Sequence, residues 1–447
     1  MSFDPTTIES FRYEGFDLDA STATVTCRYA LDGWRFAERV SFDPGGDWTQ
    51  PAAARAARRV HLLAGVSYYK AAAPPVVDFG DETLTDNERA LLHAFYVDGL
   101  GEYAYRNDLD LSSIELRARH AVAYPIRANL RDDRPLVPFG GGLDSIVTTE
   151  LVRARHTDAA LFIVSRAGDR FDAIEGAANA TGLPVVRAGR ALDPQILNSR
   201  NLGFRNGHVP VTGIISAIAV MAAVLDGRDA VVMSNEWSAS QGNVAVDGRA
   251  VNHQYSKGHT FEAAFRAVLA DTFSKGPDYF SLLRPLSELR IAELFAEMPR
   301  YHRVFRSCNR AFHIDRSQRL DHWCGVCDKC CFIDLILAPF LPAAELDAIF
   351  GGHEPLQNAA LTQQFRTLIG RTGDLKPWEC VGDIDECRAA VILAADRPDR
   401  RATALLHELA RELASQRDRI AALTPQLLRP IGAHFVPDDY ATAALVD

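Results

Sequence analysis

Residues Gly140-Gly141-Gly142-Leu143-Asp144-Ser145 follow the apolar run Leu136 to Phe139 and precede a helical stretch from Ile146 to Arg153. Glycines in succession let several backbone N–H groups converge on one anion, and the following helix N-terminus adds its partial positive charge at the same point. The chemistry expected here is phosphate binding by the main chain. A second grouping is Cys308 followed by Cys324, Cys327 and Cys330 in Trp-Cys-Gly-Val-Cys-Asp-Lys-Cys. Thiolates two residues apart turn their sulfurs toward one tetrahedral ion, Gly325 permits the tight turn, and Cys308 can supply the fourth sulfur. Such a closed four-sulfur set is expected to hold structural Zn²⁺. Cys331, next to Cys330, points away and is left out of it. Disulfides are not expected for eight cysteines in a chain read as belonging to a reducing compartment.

The glycine-rich loop lacks the Gly-Lys-Ser/Thr ending of the common phosphate loop, and Ser145 stands where the dinucleotide fingerprint needs a third glycine. The pattern that remains is Ser/Gly-Gly-Gly-x-Asp-Ser. It is the pyrophosphatase loop of enzymes that split ATP into AMP and pyrophosphate while adenylating a substrate oxygen.

These residues need a scaffold. Phe11 to Asp17, Thr22 to Tyr29 and Trp34 to Phe42 alternate apolar and polar residues between turn-like pairs, and predict an antiparallel meander. Helical stretches follow at Pro51 to Ala72 and Asp86 to Arg106, the second opened by a capping box of Thr85 and Glu88. Asp132-Asp133-Arg134-Pro135 reads as a boundary. Beyond it, apolar strands at Leu136–Phe139, Leu161–Val164, Pro184–Arg187 and Ala230–Met233 alternate with helical segments, which implies a parallel sheet covered by helices. The apolar run Val209 to Leu225 contains Pro210, Thr212 and Gly213 and reads as a buried helix, not a membrane span. The stretch Arg388 to Leu428, with Leu405, Leu409 and Leu413 at helical spacing, reads as core packing, with a dimer interface as the alternative.

The chain of 447 residues carries 48 Lys plus Arg against 58 Asp plus Glu, a formal charge of −10, so a nucleic acid partner would meet net repulsion. No signal peptide is read in Met1 to Ser10, and a cytoplasmic protein with no membrane partner is expected. In parallel sheets ligands bind at the carboxyl ends of the strands. Four loops there are rich in polar side chains: Asn206-Gly207-His208, Ser234 to Ser240, Val251 to Gly258, and Leu283 to Glu288.

Gly140 to Ser145, Asn235 to Ser240, Val251 to Gly258, Ser307-Cys308-Asn309 and Trp323 to Cys330 together resemble the UDP-N-acetylmuramoyl-L-alanyl-L-glutamate epimerase family of peptidoglycan synthesis. The likeness extends to Leu62 to Lys70, Gly99 to Asn107 and Lys376 to Gly382. By that resemblance, lysine is usual at Leu143 and arginine at Trp237. The fold implied is α/β: a PP-loop (HUP-like, Rossmann-like) parallel-sheet domain over 133–300, an N-terminal α+β domain over 1–132, a zinc-bound cysteine module over 301–390 and C-terminal helices over 391–447. The reaction implied is ATP-dependent epimerisation of the terminal L-glutamate of the UDP-muramoyl dipeptide through an acyl-adenylate, with release of AMP and pyrophosphate. Two alternatives remain at this point, a PP-loop tRNA- or deazaguanine-modifying adenylating enzyme and a non-catalytic, zinc-stabilised nucleotide-binding protein.

Roles follow from chemistry. The N–H groups of Gly140, Gly141, Gly142 and Leu143, with the Ser145 hydroxyl, are expected to hold pyrophosphate, and Asp144 to order the loop or meet Mg²⁺. Inversion needs a proton donor or acceptor on each face of the carbon, and Cys380, His208, His253 and Glu236 are the candidates. Lys70, Asn206, Asn235, Ser238, Asn252, Lys257 and Arg284 are candidates for substrate binding, the cations because they can meet carboxylate or phosphate. The sequence leaves the oligomeric state open.

Overall fold

A computed structural model describes residues 3–246, 249–313, 315–371, 378–442 and 445. The predicted meander is present as β1 (Ser10–Asp19), β2 (Thr24–Leu31) and β3 (Trp34–Phe42), paired antiparallel in chain order. The Asp32-Gly33 turn joins β2 to β3 with Asp32 in the left-handed region at φ 47°. Two further strands, β4 (Val76–Leu84) and β5 (Glu115–His120), extend this sheet on the far side of β1 by parallel pairing. Neither was read from the sequence: β5 is Glu-Leu-Arg-Ala-Arg-His, and Gly80 interrupts β4 with a positive φ of 58°.

The expected parallel strands are β6 (Arg131–Pro138), β7 (Ala160–Arg166), β8 (Val185–Ala191) and β9 (Arg228–Met233), joined by a fifth, β10 (Asp278–Ser281). The strands run in the order β10-β9-β6-β7-β8-β3-β2-β1-β4-β5, so one mixed, mostly parallel sheet of ten strands carries the N-terminal meander and the later α/β units together. The seam is the antiparallel pairing of β3 with β8, Val40 opposite Arg190 and Ser41 opposite Gly189. A buried ion pair locks it, with Arg190 Nε 2.7 Å from Glu38 Oε1 and Glu38 fully buried.

One apolar cluster lies under the meander and includes α1 (Pro51–Ala64) and the predicted buried helix, here Val211–Asp226. A second cluster holds the helices of the other face and the C-terminal segment, including Leu405, Leu409 and Leu413 at 4, 0 and 0 % exposure. Those leucines are core within the chain. No described helix is long and apolar enough to cross a membrane.

Two expected helices are interrupted. The first runs to Ala64 and resumes over Val66–Tyr69, with Gly65 between them still in helical conformation and packed under the Tyr13 ring, where a Cβ would come within 2.4 Å of the Tyr13 hydroxyl. The second has the predicted capping box but divides into α2 (Asp86–Val97) and α3 (Gly101–Asn107). Gly99 sits in that break, where a Cβ would be 2.3 Å from the Phe95 carbonyl oxygen.

Candidate active site

At the carboxyl ends of β6, β7 and β9 lies a cavity of about 480 Å³. The glycine-rich loop forms its floor. Gly141 has φ 75°, and a Cβ there would lie 2.6 Å from the Ala173 carbonyl oxygen, so the position requires glycine. Gly140 instead faces open space. The helix α4 (Leu143–Arg153) starts at Gly142 with no side-chain cap, leaving its first N–H groups to a ligand. The Ser145 hydroxyl donates to the Gly142 carbonyl at 2.9 Å. Leu143 packs into the apolar cluster at 2 % exposure, and Trp237 lies against Gly432.

Above the loop, Asp144, Glu236 and Glu288 bring carboxylate oxygens within 4.8 Å of one another. Asp144 Oδ1 is buried without a hydrogen-bond partner. Burial, then the Glu236 charge, raises the Asp144 carboxyl to about 6, and burial with the Asp144 and Glu236 charges pushes Glu288 well above the ordinary carboxylate range. Three clustered carboxylates are a suitable donor set for a hard divalent cation with oxygen ligands. Glu236, expected beside the proton-transfer groups, stands here instead.

The third grouping surrounds a thiol. Glu102 of α3 accepts from His253 Nδ1, Lys257 Nζ reaches Cys380 Sγ at 3.2 Å, and His253 acts on the same thiol as a neighbouring positive group. Burial raises the thiol's pKa, but Lys257, His253 and Lys329 outweigh it and bring Cys380 to about 7. Burial opposes the imidazolium at His253, yet Cys380 and Glu102 beside it lift it to about 9. His208 lies against His253 with ring centroids 4.2 Å apart and the planes tilted by 38°, and burial with the His253 charge lowers it to about 4.

The predicted substrate ligands separate. Asn235 and Lys257 line the cavity. Lys70 and Asn206 bond each other at 2.6 Å beside His208, outside it. Asn252 ties down the Ala239 carbonyl at 2.9 Å, and Ser238 is buried with its hydroxyl unpartnered. Arg284 is 1 % exposed, paired with Glu262 at 3.0 Å, and donates to the backbone carbonyls of Glu236 and Lys257. Its guanidinium is spent on holding the loops that present Glu236 and Lys257, and it does not face the cavity. Glu102, Glu288, Lys329 and Glu379 were not assigned roles from the sequence. No local signal distinguishes them, since each is brought in from a separate element.

Cys308, Cys324, Cys327 and Cys330 place their sulfurs within 4.8 Å of one another, with Cys324–Cys330 at 3.6 Å and Cys327–Cys330 at 3.5 Å. Tetrahedral thiolates on zinc at about 2.3 Å would be roughly 3.8 Å apart, so the four could hold that ion. Gly325 takes φ 68°, and Cys331 lies outside the set. The cluster borders the cavity. Ser307 and Asn309 flank Cys308 in the wall, Asn309 donates to Glu379 at 2.8 Å, and Lys329 sits next to Cys330 and donates to the Cys380 carbonyl.

The description "MurL N-terminal domain" matches residues 2–282 and "MurL C-terminal domain" residues 304–424. The chain belongs to the MurL family. Relatives named UDP-N-acetyl-alpha-D-muramoyl-L-alanyl-L-glutamate epimerase occur in Xanthomonas oryzae pv. oryzae (38 % identity, covering 98 % of this chain and 97 % of the relative), Micromonospora sp. (39 %, 98 % and 98 %) and Salinispora tropica (38 %, 98 % and 95 %). As a MurL-family chain it is an epimerase, which sets aside the non-catalytic and nucleic-acid-modifying alternatives. Both MurL domains build the cavity: the first supplies the loop, Asn235 and Lys257, the second Ser307, Asn309, Lys329 and Cys380. Of the stretch Lys376 to Gly382, which carried part of the resemblance, Lys376 and Pro377 lie outside the described residues.

Proposed function

We propose that this chain epimerises the terminal L-glutamate of UDP-N-acetylmuramoyl-L-alanyl-L-glutamate to D-glutamate, consuming ATP and releasing AMP and pyrophosphate. The observation that carries this reading is that an uncapped glycine loop suited to phosphate and a thiol engaged by two cationic groups open into the same cavity.

An ionised α-carboxylate makes the adjacent Cα–H very hard to remove, because its charge opposes a carbanion. Attack of that carboxylate on the α-phosphorus of ATP forms an acyl-adenylate and expels pyrophosphate, which the N–H groups of Gly140 to Leu143 and the Ser145 hydroxyl receive. Each pKa unit gained in Cα–H acidity lowers the barrier by at most ~1.4 kcal/mol. Proton removal on one face and return on the other invert the centre, and water then releases AMP and the D-glutamate product.

Asp144, Glu236 and Glu288 would hold Mg²⁺, which neutralises phosphate charge when bound. Cys308, Cys324, Cys327 and Cys330 would hold Zn²⁺ as a closed structural site that fixes Asn309 and Lys329 in the wall. Lys257 and Asn235 would meet substrate. A cytoplasmic location suits an enzyme that draws on ATP and a nucleotide-linked precursor.

The test is AMP formation from ATP in D₂O. AMP should appear only with the UDP-muramoyl dipeptide, and deuterium should enter the glutamate Cα. Neither signal with that substrate would defeat the reading.

A further inference from the structure

Inversion requires two proton-transfer stations, and the described residues assemble one in full. We propose that Glu102, His253 and Cys380 form that station, with the Cys380 sulfur as the group that meets the substrate's Cα–H and Glu102 as the positioning residue that holds His253 against it. The inference rests on the adenylating epimerase reading above and names residues within it.

Three elements converge to build it. Glu102 stands buried in the first turn of α3 and meets His253 from there. Its two carboxylate oxygens are separately engaged, Oε1 by Arg106 Nε at 2.6 Å and Oε2 by His253 Nδ1. The carboxylate therefore cannot rotate without losing a charged partner. The His253 backbone N–H is fixed in turn by Asn243 Oδ1 at 2.8 Å, so the imidazole is held between acid and thiol. A base oriented by a buried carboxylate and set beside a thiol is the general arrangement of an activated sulfur. Lys257 Nζ at 3.2 Å supplies a second positive charge to that sulfur, and Cys380 lines the cavity that holds the glycine loop.

The step balances without a further reactant. The Cys380 thiolate takes the Cα proton of the acyl-adenylate and becomes a thiol, while the C–H electron pair moves into the acyl carbonyl as an enolate. A solvent proton, passed through the second station to the opposite face, re-forms the C–H bond and replaces the one that the first station gives up. The His253 imidazolium releases its proton toward solvent past His208, takes the thiol's proton, and so restores the thiolate–imidazolium pair. His208 and His253 keep 23 % and 15 % of their side-chain surface exposed, which gives that proton an exit.

The experiment uses the full-length enzyme with ATP, Mg²⁺ and the UDP-muramoyl dipeptide in D₂O, with AMP release and Cα deuterium measured in parallel. Cys380→Ser and Glu102→Gln should still release AMP, while deuterium entry falls at least ~100-fold, the scale of one general acid–base group. Glu102→Asp should restore part of the exchange. In Glu102→Gln the pH midpoint for iodoacetamide labelling of Cys380 should rise, a readout that a merely structural role would not move and that needs no turnover. Wild-type exchange in Cys380→Ser, an unmoved labelling midpoint in Glu102→Gln, or a substrate-mass adduct on Cys380 would overturn the proposal, the last by making the sulfur a nucleophile. Absence of AMP with the wild-type enzyme would instead defeat the adenylating reading itself.

Discussion

Lys257 Nζ lies 3.2 Å from Cys380 Sγ, joining residues 123 positions apart across the two family domains. The contact gives a thiol in a buried setting a cation to face, which is why Cys380 is lowered to about 7 although burial alone would raise it.

Lys257→Met should undo that balance. Removing the cation lets burial dominate, so the Cys380 pKa rises toward or past the ordinary ~8.5 of a free thiol. At pH 7 the thiolate fraction then falls from about one half to about 3 %, and iodoacetamide labelling of Cys380 should slow roughly 15-fold. Mass-resolved labelling rates between pH 5.5 and 9 check this. An unchanged midpoint would mean that His253 alone sets the thiol.

Gly141 and Gly140 should respond differently to alanine. At Gly141 the positive φ and the Ala173 carbonyl oxygen 2.6 Å from the added Cβ should cost about 1–3 kcal/mol of stability, read by denaturant unfolding. Gly140 has open space for a Cβ, so Gly140→Ala should fold as stably as the wild type. Its methyl would intrude on the phosphate site, so ATP should bind more weakly. Equal stability of the two variants would contradict the packing at the loop.

The Arg284–Glu262 pair should behave as a buried structural pair. Arg284→Met leaves the Glu262 carboxylate buried at 1 % exposure and should destabilise by about 3–5 kcal/mol, whereas Arg284→Met with Glu262→Leu should recover much of that loss. A stable Arg284→Met protein with only weakened substrate binding would return the arginine to the role the sequence suggested.

Glu288→Gln tests the carboxylate cluster. With no cation, the neighbouring carboxylates oppose ionisation of Asp144 and Glu288, so this variant should raise the melting temperature of the metal-free protein. It should also raise the Mg²⁺ concentration needed for AMP release at least about tenfold, equivalent to ~1.4 kcal/mol. Unchanged Mg²⁺ dependence would remove Glu288 from the ligand set.

The cysteine cluster is tested by metal analysis. One zinc per chain is expected, lost in Cys308→Ser and Cys327→Ser and retained in Cys331→Ser. Because Lys329 and Asn309 flank the ligands, metal loss should also lower activity before the chain unfolds.

The meander, the capping box at Thr85 and four of the five strands β6 to β10 were legible because alternation, capping and apolar runs are local patterns. The strand Glu115–His120 was not, since its residues read as polar and only its pairing with Val76–Leu84 makes it a strand. The single sheet was equally hidden. Its seam depends on Val40 meeting Arg190 and on Glu38 meeting the same arginine across 152 residues.

By itself, the sequence determined the glycine-rich loop between strand and helix and the cysteine quartet, because both groupings are made of residues close together in the chain and announce themselves by spacing. The tertiary structure decided the partners of the reactive groups. It set Glu102 on His253 across 151 residues, drew Glu236 away from the thiol to join Asp144 and Glu288, and turned Arg284 inward onto Glu262. Those pairings depend on which loop ends the sheet brings to one cavity and on which charges burial forces to find a partner. Neither is encoded within any single segment.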